Sequence, residues 1–591
     1  MRKLIIIPLL FFYLLVNATN YYVATTGSDG AAGTFAAPWA TWEKAFTSAS
    51  VQPGDTVFFR GGVYTMTKTD GWGYDITRSG TAANWIYYHA YPGEVPILDC
   101  SNVVPSGTKN HAITNQYLGT SISYLEFKGL VVINVSDDGT GPSTVEAYGW
   151  RVAGGRLRWI NCTGHDIGGH GFSSNFSNSY GEHWFINCDA YNCNNPNAVS
   201  PYLPGNRGTG FSVQNFYSTK GRSYAINCRA WNCGDQGFSF DGDQYCEVVG
   251  CWSWNNGRLG GDGHGFKLGW VVYDVDTIRR KFVNNIAAYN RNSGFTTNDN
   301  VDVRYPWTFH GTISNNISYH NGYFADEPTT ATINEANWGW GFVIYNNNST
   351  NDASELAREF YNNISYDNDV LNIFVAPNAL YTHSNNTWDA AIISEVGNPT
   401  AAWFLSLDST GLGGPRQADG SLPDIDFLKL TSTAGARGVG VDVGLTYDAD
   451  SNLYKSPPSI GPYEYYVPGD PEPPTAVIPT VSIWVNGATI TGNVSDDGGA
   501  IVTDRGVVWS EGANPVIATN LHIHSGSGTG SFVVTIPNLT ASTLYYIGVF
   551  ATNSAGTTYT YYEYTSTGTS VIKNPDGYIL KDSSDKVIKI N

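Results

Sequence analysis

Lys267 stands in the run Gly261-Asp262-Gly263-His264-Gly265-Phe266-Lys267-Leu268-Gly269. Four related segments carry a small hydroxylated residue in its place: Gly171-Phe172-Ser173, Gly210-Phe211-Ser212, Gly237-Phe238-Ser239 and Gly294-Phe295-Thr296. Side chains alternate between the two faces of a strand. If the phenylalanines turn inward, Lys267 stands on the opposite face between Ser239 and Thr296. An amine placed there can remove a proton, provided that it is held neutral. Asp235, Asp241, Asp243 and Asp262 are close in sequence, and the basic residues Arg279, Arg280, Lys281 and Arg304 follow.

The elements that must position this lysine form a repeat. A second motif runs alongside the first, from Asn161-Cys162 through Asn187-Cys188-Asp189-Ala190-Tyr191-Asn192 and Asn227-Cys228-Arg229-Ala230-Trp231-Asn232. It continues through Asn285-Ile286-Ala287-Ala288-Tyr289-Asn290 and Asn316-Ile317-Ser318-Tyr319-His320-Asn321 to Asn363-Ile364-Ser365-Tyr366-Asp367-Asn368. The spacing varies over roughly 23 to 47 residues, within the range of solenoids. Short β-type segments separated by Gly and Asn argue strands and turns, and no helical apolar period stands out. The expectation is an all-β chain built as a parallel β-helix. Its stacked coils bury an inner face that one coil cannot bury alone, and like residues align about 4.8 Å apart.

The chain has 591 residues and a formal net charge of −19. The charge argues against nucleic acid as a partner, and an acidic polymer would need a local positive site or a bound cation. Aromatic residues make up 14% of the sequence, which suits contact with sugar faces. Met1-Arg2-Lys3, the apolar run Leu4 to Val16 and Asn17-Ala18 predict a signal peptide over residues 1–18, hence a secreted or cell-surface protein with no transmembrane segment. Of the eight cysteines, Cys162, Cys188, Cys228 and Cys251 share one register, and Cys193 and Cys233 another. Disulfides between coils and buried free thiols both fit, whereas a zinc site does not. The β-helix should occupy 19–466, with a short capping helix from Trp42 to Ala49. A Pro-rich linker is expected at 467–474, a small β-sandwich resembling a fibronectin type III module at 475–569, and a tail at 570–591.

The run from Gly261 to Gly269, with Trp254-Asn255-Asn256-Gly257 before it and Ser293-Gly294-Phe295-Thr296-Thr297-Asn298 after it, resembles the catalytic-lysine motif of the family 9 polysaccharide lyases. The resemblance implies a right-handed parallel β-helix. It also implies a lyase that cleaves an acidic polysaccharide such as pectate or rhamnogalacturonan by calcium-assisted β-elimination. Lys267 would be the base, neutral at alkaline pH. Asp235 falls on one calcium-binding aspartate of that family, while Thr209, Gln236 and Ser239 fall where the family has others. By alternation Asp241, with Asp243 near it, could replace the lost carboxylates. Arg279, Arg280 and Arg304 could hold uronate carboxylates, and His264 could touch substrate or close the turn. The expected partner is the polysaccharide, and the protein is expected to be a monomer. Two other readings stand beside this one. A β-helix glycoside hydrolase would need a facing carboxylate pair, and a glycan-binding protein would have kept the scaffold and lost the metal.

Overall fold

The computed structural model describes residues 18–588, apart from 69–70, 104–108, 116–121, 138–145, 177–180, 198–203, 216–220, 243–244, 270–279, 298–310, 324–338, 346–357, 378, 380, 466–470, 472, 485–486, 512–514, 541–542, 567–570, 574–579 and 582–586. The expected signal peptide (but for Ala18), Asp243, Arg279, Arg304 and most of the 467–474 linker therefore lie outside the described residues.

Described strands wind into three parallel sheets of twelve, ten and ten strands, each coil adding one strand to each sheet. This is the expected parallel β-helix. The ten-stranded sheet carrying the Gly-Phe pairs, here the site sheet, aligns Phe211, Phe238, Phe266, Phe295 and Phe342 across successive strands. Their rings stack 4.8 to 4.9 Å apart, nearly parallel, along the interior. Removing each such ring from water contributes on the order of 1.5–3 kcal/mol.

The glycine before each phenylalanine has a steric reason. A Cβ on Gly265 would meet the Cβ of Ala287 at 3.0 Å and the Nδ2 of Asn290 at 2.8 Å, and one on Gly210 would meet Ala230 at 2.8 Å. The site sheet and the third sheet converge there, so the glycine and the small residue of the Asn-x-x-Ala/Ser motif answer one another across a narrow corner.

The second motif makes two corners and two ladders. Asn161, Asn187, Asn227, Asn284, Asn315 and Asn362 take left-handed backbone angles of φ 51 to 58° at the first corner. Asparagine tolerates that conformation better than most side chains. The next residue points inward, and there Cys188, Cys228 and Cys251 are succeeded by Asn285, Asn316 and Asn363. Asn285 therefore matches Cys251 and Asn284 matches the corner asparagines, so the sequence alignment above is one residue out of register in its later repeats. Asn285, Asn316, Asn363 and Asn386 donate side chain to side chain at 2.8 to 3.0 Å. Asn256, Asn290, Asn321 and Asn368 form a second ladder at 2.8 to 3.0 Å. All eight cysteines are buried free thiols, which decides between the two alternatives. Cys188 and Cys228 offer their thiols to the carbonyls of Trp159 and Phe185, as Asn285 offers its amide to Val248.

A helix over Trp42–Thr47, capped by Thr41, buries Trp42 and Phe46 against Phe59, Tyr64 and Tyr88 at the start of the winding. No described helix is long and apolar enough to cross a membrane. Residues 1–400, 408–425 and 460–462 group as one compact unit, and 401–407, 426–459 and 463–591 as another. The second unit contains antiparallel sheets of three and five strands, between Thr475 and Lys573, that share a core of Ile490, Val507, Val534, Ile536 and Val549. This is the small β-sandwich expected after the solenoid.

Candidate active site

Lys267 ends the two-residue strand Phe266–Lys267 and pairs with Ser239 on one side and Thr296 on the other. Phe266 is fully buried, so alternation turns Lys267 away from the core; its side chain is 19% exposed. Two residues on, Gly269 has φ 77°, and any side chain there would run into the carbonyl of Phe240. Glycine lets the chain leave the sheet directly after the lysine.

Three carboxylates surround the ammonium. Asp262 Oδ2 lies 3.2 Å from Lys267 Nζ and accepts a second bond from Gln236 Nε2 at 2.9 Å. The Gly-rich loop makes this possible, since Gly263, at φ 75°, packs its Cα where a Cβ would fall 2.7 Å from Arg291 Cβ. Asp235 is buried and accepts the backbone N–H of Arg207 at 3.0 Å and of Asp262 at 2.9 Å. Asp241 stands two residues beyond Ser239 on the same face and accepts its hydroxyl at 3.1 Å; its Oδ1 is buried with no hydrogen-bond partner.

The charges follow from this geometry. Burial is the largest influence on Lys267 and lowers its pKa, but Asp262, Asp241 and Asp235 together outweigh it, so the ammonium is held above the usual lysine range. Desolvation and the charge of Asp262 push Asp235 up to about 7. Desolvation also raises Asp241, against the charges of Lys267 and Arg280. Asp262 is lowered because Lys267, His264 and Gln236 outweigh its own desolvation. A base at this position has to be the free amine, and the acids around Lys267 keep it charged to a higher pH.

His264 and Arg280 occupy different settings from those a substrate contact would need. His264 is buried with Nδ1 2.7 Å from Ser293 Oγ, and burial lowers it to about 4. It braces the edge of the site sheet. Arg280 is wholly buried, pairs with Cys246 and donates Nε to the carbonyl of Leu268 at 2.9 Å. It acts on the site from inside, through its charge on Asp241, and offers no surface to a sugar. Phe282 two residues on also points inward, so alternation in the sequence already carried that signal. Asp262, noted in the sequence only as one of several nearby acids, is the lysine's ion-pair partner. Its place five residues upstream in a Gly-rich loop was the available clue.

A chain wound in three parallel sheets, with a lysine among aspartates on one outer face, belongs to the class of parallel β-helix proteins with a charged surface site. Residues 21–386 match the family described as Pel9A-like, right handed beta helix region, and the chain belongs to that family. Pectate lyase L of Dickeya dadantii (strain 3937) is 27% identical over 455 residues, which cover 75% of this chain and 90% of that protein. Pectate lyase PEL9 of Emericella nidulans is 42% identical over 84 residues, 14% of this chain and 19% of that one. The crystal structure of pectate lyase Pel9A shares the fold, with a TM-score of 0.54 and 23% identity over 76% of this chain and 96% of that chain.

The implied calcium ion can be tested against the residues present. Thr209 donates to Gln236 Oε1 at 3.0 Å, and Gln236 donates onward to Asp262. Ser239 donates to Asp241, and both oxygens of Asp235 already accept backbone N–H groups. Calcium needs six to eight oxygens turned toward one point. Here the side chains at the family positions are donors or are already engaged. Among the described residues no three His, Cys, Asp or Glu side chains gather as a metal cluster. The residues at these positions do not fit a calcium ion bound in the family's manner.

Proposed function

We propose that this chain is a secreted polysaccharide lyase that cleaves a uronate-containing polymer, pectate or rhamnogalacturonan first, by β-elimination with Lys267 as the base. The observation that carries the reading is the place of Lys267. It is the lysine of the family-like Gly261–Gly269 run, it stands on the outer face of the site sheet, and aspartates surround it. Pectate lyases among the similar proteins support the reaction class.

In this mechanism the neutral amine of Lys267 takes the C5 proton of a uronate, the C4–C5 double bond forms as the C4–oxygen bond breaks, and the leaving oxygen takes a proton from water. Asp262 orients the amine and, by raising its pKa, moves the working range toward alkaline pH. Residues 1–18 would direct export, and the C-terminal sandwich would act as a fibronectin type III-like spacer or binder. The test is ultraviolet absorbance of unsaturated ends in digests of polygalacturonate and rhamnogalacturonan at alkaline pH. Wild type should produce it and Lys267→Ala should not; equal absorbance from both would remove the lysine from the chemistry. The replaced acids at 209, 236 and 239 favour a second reading, a glycan-binding protein without catalysis. That reading gains if wild type binds both polymers and produces no unsaturated ends.

A further inference from the structure

We propose that Arg151 holds a carboxylate of the uronate polymer at a second point on the site sheet, several sugars away from the one that meets Lys267. This rests on the lyase reading above for its substrate class. The carboxylates of Asp235, Asp241 and Asp262 surround Lys267 and repel a uronate there, and a net charge of −19 gives no long-range attraction. An acidic polymer therefore needs a cation apart from those acids, and binding energy gained on remote sugars can offset the cost at the reacting one.

Arg151 stands in the same row as Lys267. The register runs Arg151, Ser173, Ser212, Ser239, Lys267 across successive strands of the site sheet, with only hydroxyls between the two cations. Trp150 and Val152 are fully buried, so alternation turns Arg151 to the outer face, where it is half-buried. Its guanidinium lies 4.0 Å from the ring centroid of Tyr148, three residues back along the strand, and Tyr148 stacks in turn on His170 at 5.0 Å. Lys267 leans the same way, toward Asp262 five residues back. Both charges therefore lie toward one edge of the site sheet, along the row of His111, Tyr148 and His170 that Thr209, Gln236 and His264 continue. Burial, and then the charge of Arg151, lower His170 to about 3, so the imidazole is neutral and the positive charge beside it is the arginine's. A guanidinium keeps its five N–H donors in its own plane, clear of the ring it lies on. Arg151 has a further contact within the protein, and five donors serve both that and a forked pair of bonds to a carboxylate. The two cations are about 19 Å apart along the solenoid axis, roughly four strand spacings of about 4.8 Å. Each sugar of an extended polymer advances it by a similar distance.

The experiment uses the full chain. In the Lys267→Ala background, which does not consume the probe, calorimetry compares heptagalacturonate and its methyl ester with and without Arg151→Gln. The acid should bind about 10- to 100-fold more weakly to the Arg151→Gln protein, and the ester should bind both alike. With Lys267 in place, Arg151→Gln should raise KM for the heptamer by a similar factor with kcat little changed. Turnover of trigalacturonate should be unaltered, because the trimer is too short to span from Lys267 to Arg151, and this also reports that the fold survives the substitution. Equal heptamer binding by both proteins overturns the proposal, as does an equal loss with the ester or the trimer, or no heptamer binding by the parent. Wild type that yields no unsaturated product defeats the lyase reading, yet the binding comparison still decides the role of Arg151.

Discussion

Replacing Asp262 by asparagine should move the pH dependence of cleavage toward acid. Asp262 Oδ2 lies 3.2 Å from Lys267 Nζ. Unit charges at that separation interact by about 5 kcal/mol at an effective dielectric near 20 and by about 1 kcal/mol in bulk water. The Asp262 side chain is 45% exposed, so solvent screening favours the lower figure. A value of about 1–2 kcal/mol corresponds to about one pKa unit. The sign follows from the role: Lys267 works as the free amine, Asp262 stabilises the ammonium, and its removal lowers the lysine's pKa. On the acid limb the fraction of free amine rises about tenfold, and the limb should shift down by about one pH unit. The assay is initial rate of unsaturated-end formation across pH for wild type and Asp262→Asn. The plateau should fall as well, because Gln236 and Lys267 lose a shared acceptor, but the position of the limb is the diagnostic. An acid limb that stays in place, or moves toward alkali, would refute the assignment of Lys267 as the base held protonated by Asp262.

Asn316→Ala should cost at least about 2 kcal/mol in denaturant unfolding, because it strips buried hydrogen bonds from Asn285, Asn363 and the carbonyl of Phe282 at once; an unchanged midpoint would mean that the ladder is not cooperative. Gly265→Ala should destabilise by about 1–3 kcal/mol, since its Cβ has no room beside Ala287, Asn290 and the carbonyl of Gly294. A thiol reagent should find eight reactive cysteines per chain in denaturant without reductant, and almost none in the folded protein; fewer after unfolding would reveal disulfides.

The repeat in the sequence was enough to determine the winding. Phenylalanine at every Gly-Phe pair must be buried, and identical residues stacked about 4.8 Å apart can be buried together only if the strands run in parallel register. Alternation from Phe266 likewise set the outward face of Lys267. The same rule placed Arg280 indoors two residues before Phe282, although its charge had marked it as a substrate contact. Other features depended on contacts that no local pattern records. The corner asparagines and the inward Cys or Asn that follows them are adjacent in the chain, and only pairing between coils shows which asparagine belongs to which row. The thiols of Cys162, Cys188, Cys193, Cys228, Cys233 and Cys251 lie under carbonyls of the preceding coil, while that of Cys246 faces the Ser223 hydroxyl. Asp262 reaches Lys267 because a Gly-rich loop doubles back, and Arg207 is tied to Asp235 from 28 residues away. Strand periodicity is a property of the chain, so the sequence determined the scaffold. The replaced acids at 209, 236 and 239 were legible in the sequence, but the charge state of the lysine and the hydrogen bonds that tie Thr209, Gln236 and Ser239 to their neighbours depend on distances between side chains, and only the tertiary structure decided those.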